Sequence, residues 1–123
     1  MKIVTWNVRG LGSKGKRAVI RSMLLGIGAD IIILQETKMD EIERSLVTSI
    51  WGARFKDWVS IPAFGRSGGV VVIWNTRCVS VLESVVGVFA ISIKIQGLNG
   101  NDWWLTGVYG PNGYRERISF WEE

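Results

Sequence analysis

Apolar residues in this chain come in short runs, each closed by polar side chains or glycine. Ile3-Val4 heads a strand over residues 2–6, and Ile31-Ile32-Ile33-Leu34 is the continuous apolar run that a strand covered on both faces requires. Between them, Gly10 and Gly12 open a turn and Ser13 is placed to cap a helix. Ile20, Met23, Leu24 and Ile27 then repeat at the helical period until Gly26 and Gly28 end it. The unit is β-α-β, with parallel strands and a right-handed crossover expected. A second helix is expected from Asp40 or Glu41, with Ile42, Leu46 and Ile50 on one face.

Strands dominate after residue 56. Lys56 to Ile61 reads as a short strand that Pro62 ends, and Gly69 to Trp74 as a second fully apolar strand. Cys78 to Glu83 and Val88 to Ile95 read as antiparallel strands joined through Gly87. Leu98 to Asn101 is a turn signal, Trp103 to Tyr109 the last strand, and Tyr114 to Glu122 the start of a helix. No repeat, linker or low-complexity tract interrupts the chain, so a single domain is expected.

Composition narrows this picture. At 123 residues with 47% hydrophobic content, the chain can bury a core and is not disordered. Seven Trp residues include Trp6, Trp74, Trp103 and Trp104 at strand ends, where a ring caps a core or lines a groove. The one cysteine, Cys78, excludes an internal disulfide and a cysteine zinc site; it is expected to pack as a small hydrophobe. No apolar stretch approaches the roughly 20 residues of a spanning helix, and no signal peptide is evident. An intracellular protein, cytoplasmic or nuclear, without membrane contact is therefore expected. The net charge is +4, and Arg9, Lys14, Lys16, Arg17 and Arg21 all precede the first acidic residue, Asp30. That asymmetry suits a polyanion near the first loop and helix, and equally a solvated helix face.

The chemistry lies where two apolar runs end. Parallel neighbouring strands would bring Asn7 and Glu36 out at one sheet edge, where α/β proteins place ligands. An amide and a carboxylate there suit a hydrated divalent cation and a phosphate. Read as residues alone, Asn7 is also a turn asparagine bonded to its own backbone and Glu36 a surface carboxylate in a loop.

Four segments together carry a resemblance: Trp6-Asn7-Val8-Arg9-Gly10-Leu11, Leu34-Gln35-Glu36-Thr37-Lys38, Ser67-Gly68-Gly69 running into Val70 to Trp74, and Tyr109-Gly110-Pro111-Asn112. In this order they resemble the N-terminal half of the endonuclease/exonuclease/phosphatase superfamily, and more closely the endonuclease domain of plant LINE-type (non-LTR) retrotransposons. The resemblance implies an α/β fold, a partial four-layer αββα sandwich of the DNase I-like kind. The absent half would build most of its second sheet. A free fragment would then expose an apolar sheet face and tend to self-associate.

The activity implied is magnesium-dependent hydrolysis of DNA phosphodiesters, with manganese as the alternative ion. By resemblance Glu36 is the metal-binding glutamate, Asn7 an asparagine that arranges the site and binds metal, Tyr109 a contact to the scissile phosphate, and Asn112 the close of the same motif. Tyr109 also reads as a packed strand-end residue, and Asn112 as a turn former. Arg9, Lys38, Arg66 and Ser67 are candidate nucleic-acid contacts. The family pattern also needs a later Asp-x-Asn motif and an Asp-His pair; the sequence contains no His. Inactivity alone is thus expected, and the competing readings are a transposon-derived remnant that binds nucleic acid weakly, or one with no function. A small-molecule phosphatase of the same superfamily ranks below them.

Overall fold

The computed structural model describes residues 1–52, 54–64 and 67–108. Strand β1 (Ile3–Asn7) leads through a loop into helix α1 (Lys14–Ile27), then β2 (Ile31–Gln35) and a short helix α2 (Arg44–Ile50). Five strands follow: β3 (Lys56–Phe64), β4 (Ser67–Asn75), β5 (Val81–Val86), β6 (Ala90–Ile95) and β7 (Trp103–Val108). The first sheet has the order β1-β2-β4-β3, the second β5-β6-β7. β1 and β2 are parallel, as the β-α-β pattern requires, and β4 lies antiparallel to both β2 and β3.

Burial on both faces of the first sheet explains its continuous apolar runs. Ile32, Leu34, Val71 and Ile73 face the helices and pack with Ile20, Leu24, Val47 and Ile50. Ile31, Ile33, Val70 and Val72 face the other way and pack with Ile91, Ile93 and Ile95 of β6. Alternation along β6 does the same work for the second sheet, whose outer side carries Ser92 and Lys94. The expected fragment with most of its second sheet missing is therefore corrected. This chain builds both sheets itself, because β6 presents an unbroken row of isoleucines to the first sheet. The described layers are helices, sheet, sheet. The outer face of the second sheet still exposes Val85, Trp104 and Val108, mixed with a Ser92–Thr106 hydroxyl bond of 2.8 Å.

Several local expectations are also revised. Ser13 caps α1 as expected, accepting from the Lys16 amide at 3.3 Å, and Gly28 closes it with φ 69°. Only Ile20 and Leu24 of its stripe are buried, however, and Met23 and Ile27 remain exposed. Pro62 does not end β3. The strand lies at the sheet edge, where a residue without an amide hydrogen breaks no ladder bond. Helix α2 starts at Arg44, later than expected, because Met39 just upstream is tied to β3: its carbonyl accepts from the Ala63 amide at 3.0 Å. Cys78 is an exposed free thiol and not a packed residue. It sits in the turn after β4, its amide donating to the Asn75 carbonyl at 3.1 Å.

Candidate active site

Asn7 ends β1 directly opposite Gln35 at the end of β2. The pairing then continues beyond both strands. Val8 donates to the Gln35 carbonyl at 3.0 Å, Gly10 to that of Glu36 at 2.7 Å and Leu11 to that of Thr37 at 2.9 Å. From the other side, the Thr37 and Lys38 amides donate to Gly69 and Gly68 at 3.1 and 2.9 Å. Three loop segments are thus laced into one platform at a single edge of the first sheet.

The platform alternates sharply. Val8, Leu11 and Thr37 point inward and are buried, while Asn7, Arg9 and Lys38 are exposed and Glu36 is half-exposed. Arg9, Glu36 and Lys38 all have φ near +55°, a region that ordinary residues avoid. Strain of this kind clusters where surrounding structure over-determines a functional site. Here the backbone ladder on both sides holds Glu36 and Lys38 outward around the buried Thr37. The side chain of Lys38 lies across Gly10, with Cδ 3.6 Å from where a Cβ would stand.

Neighbouring cations are committed to the same loop. Lys16 Nζ donates to the Arg9 carbonyl at 3.1 Å, and an Arg17 guanidinium nitrogen to the Leu11 carbonyl at 2.6 Å. Part of the basic N-terminal cluster therefore fixes the β1–α1 loop. A cleft of about 640 Å³ adjoins, with Arg17 and Lys38 facing Asp40, Glu41 and Glu43.

The expected site residues divide into three groups. Asn7, Arg9, Glu36 and Lys38 come together on this edge. Asn7 behaves as the turn reading foresaw, its Oδ1 accepting from the Arg9 amide at 3.2 Å; its side-chain NH₂ is the group left to meet a phosphate. Ser67 starts β4 beside the platform, and Arg66, Tyr109 and Asn112 lie outside the described residues. Two residues of the quoted motifs acquire roles that residue type alone did not signal. Gln35 Nε2 donates to the Val108 carbonyl at 3.3 Å, tying the end of β7 in the second sheet to the end of β2 in the first. Thr37 is fully buried, and its hydroxyl has no hydrogen-bond partner.

The metal expectation can be tested on these donors. Among the described residues no group of three or more His, Cys, Asp or Glu side chains gathers to hold an ion. A closed tetrahedral site is not what this edge offers. One carboxylate beside an amide suits magnesium, which keeps several waters and takes few protein ligands. The donors at this edge, the Glu36 carboxylate and the Asn7 side-chain amide, are of the kind such an ion takes.

Residues 4–121 match the model of the Endonuclease/Exonuclease/phosphatase family. The chain belongs to that family. Among solved structures, an AP endonuclease from Archaeoglobus fulgidus superposes with TM-score 0.70 at 21% identity, covering 99% of this chain and 48% of that one. The 3' phosphatase NExo from Neisseria, bound to a product DNA hairpin, gives 0.69 at 18%, covering 99% and 49%. Humanized D. rerio TDP2 gives 0.69 at 20%, covering 98% and 56%. At such identities these establish a shared fold, and the chain spans about half the length of each. No curated protein matches.

These findings correct two expectations. The family pattern runs over nearly the whole chain, so the domain is not assigned as an N-terminal half of the family fold. The narrower likeness to LINE-type retrotransposon endonucleases is not supported, since the matches are to the family at large and to solved structures such as an AP endonuclease and a 3' phosphatase. Among the described residues no helix is long and apolar enough to cross a membrane.

Proposed function

We propose that this edge is a phosphodiester-hydrolysing site that takes DNA as its substrate and uses magnesium. The observation that carries the reading is the laced platform. It holds Glu36, Asn7, Arg9 and Lys38 on one edge, with Arg9, Glu36 and Lys38 at positive φ, a conformation that costs backbone energy. Magnesium held by Glu36 would supply charge stabilisation to the phosphate as it reacts. The Asn7 amide would donate to a phosphate oxygen, and Lys38 and Arg9 would add positive charge beside it. Tyr109 and Asn112 follow the last described residue of β7, whose carbonyl Gln35 holds. They are proposed to extend the same site, with Arg66 and Ser67 as further nucleic-acid contacts.

Hydrolysis also requires a group to accept a proton from the attacking water. Glu36, Asn7, Arg9 and Lys38 are proposed to bind the ion and the phosphate, and none of the four is given that proton-accepting role. The test is a magnesium-dependent nicking assay on supercoiled plasmid, with folded, monodisperse protein and a Glu36→Ala control. Nicking that the substitution abolishes establishes a working site. A folded chain that neither nicks nor changes its thermal stability with magnesium would reject the assignment of Glu36.

A further inference from the structure

At the opposite end of β3 and β4 the charge pattern is different. Lys56 opens β3 and pairs with Asn75, roughly 23 Å from Ala63 at ~3.3 Å per residue along the strand. The turn that follows β4 folds against the residue before Lys56, with the Thr76 amide donating to the Phe55 carbonyl at 3.1 Å. Arg77 lies over the Phe55 ring with its guanidinium carbon 4.6 Å from the centroid, and Arg54 lies 5.6 Å from the same ring. Two residues into β3, Arg44 stacks on Trp58 at 4.9 Å. Arg21 reaches across from α1 to the Thr48 carbonyl and lies against Gly52, its Cζ 3.2 Å from where a Cβ would stand.

We propose that Arg21, Arg44, Arg54, Lys56 and Arg77 form a second nucleic-acid contact that grips the phosphodiester backbone at the far end of the sheet. This surface is separate from the candidate active site and independent of its assignment. Its guanidinium groups lie over rings or, for Arg21, donate to backbone, so less rotamer freedom is lost when they meet a phosphate. Arg44 and Arg21 stand near the Lys56 ammonium, their charge adding to the burial that chiefly pushes it below its ordinary pKa. The nearest carboxylate in β3, Asp57, is turned back onto its own strand, accepting from the Trp58 amide at 2.8 Å. A membrane surface is disfavoured because interfacial binding needs apolar side chains free to insert. Phe55 is 42% exposed, but its ring is covered by two guanidinium groups.

The experiment is fluorescence anisotropy with a labelled 20-nucleotide single strand and the matching duplex, across a salt series in EDTA. Removing divalent ions separates this surface from the candidate metal site. Arg44→Glu and Arg77→Glu should each flatten the slope of log affinity against log salt by about 0.7–0.9, and together weaken binding roughly tenfold at low salt. Lys94→Glu, on the outer face of the second sheet, changes the net charge equally and should leave the slope as it is. Unchanged slopes in the patch variants, or an equal loss in Lys94→Glu, would overturn the proposal. So would patch variants that lose binding to phosphatidylserine vesicles while retaining the oligonucleotides. If a charge reversal lowers the melting temperature, Arg44→Gln and Arg77→Gln make the same comparison without the added carboxylates.

Discussion

Thr37 lies directly beneath Gly69: its hydroxyl occupies the place where a side chain at position 69 would begin. Gly69 also has φ +90°, which L side chains rarely adopt. Gly69→Ala should therefore cost about 2–5 kcal/mol, combining backbone strain of about 1–2 kcal/mol with overpacking of about 1–3 kcal/mol. Adding Thr37→Ala should recover only the packing part. Urea melts of the two variants and wild type check this, and a wild-type midpoint for Gly69→Ala would mean the glycine is not needed.

The Thr37 hydroxyl is buried without a partner. Thr37→Val keeps the shape and removes the unsatisfied oxygen, so stability should stay level or rise by about 1 kcal/mol. A loss above that size in the same melts would show that the hydroxyl holds a buried water.

Gly107 of β7 packs against Ile33 of the first sheet. A Cβ there would stand 2.9 Å from Ile33 Cγ2 across the interface. Gly107→Ala should destabilise by about 1–3 kcal/mol, and Ile33→Ala in the same chain should offset part of that loss non-additively. Additive losses in a double-mutant cycle would show that the two positions do not meet.

Glu36 is half-exposed and outside both apolar cores. Glu36→Ala should leave stability without magnesium within about 0.5 kcal/mol. Magnesium at a hundredfold excess over its dissociation constant should stabilise the wild type by about 2.7 kcal/mol and the variant by nothing measurable. Differential scanning with and without the ion separates the two, and equal shifts would place the ion elsewhere.

The Lys56 pKa is held below its ordinary value of 10.5 by burial first, then by Arg44 and Arg21. Between the lowered folded pKa and the unfolded one, the unfolded chain binds more protons, so stability rises with pH through that window. Below the folded pKa the full penalty of charging remains. Arg44→Gln should raise the Lys56 pKa and narrow the window without closing it, since burial and Arg21 persist. Titration of the Lys56 side chain by NMR reads this directly, and an unmoved midpoint would show that Arg44 does not face it.

Short-range chemistry was legible in the chain. Ser13 caps α1 because its hydroxyl meets an amide three residues away, and Asn7 bonds its own turn two residues on. Asn7 and Glu36 share an edge because the two apolar runs flank one helix and must lie parallel. The errors came where a distant strand decided the outcome. Pro62 sits within β3 because that strand is an edge, and Asp40 stays out of α2 while the preceding residue, Met39, is bonded to β3.

By itself, then, the sequence determined most of the described elements, the parallel start and the residue types at the candidate site, since these depend on periodicity and on neighbours a few positions apart; the helix expected over Tyr114 to Glu122 lies outside the described residues. Tertiary structure alone decided that Thr37 would sit under Gly69, that Gln35 would hold the end of β7, and that Arg21 and Arg44 would stand near Lys56 while Arg77 lies over Phe55. Each of these joins residues far apart in the chain, and only the packing of two sheets and a helical layer brings them within bonding distance.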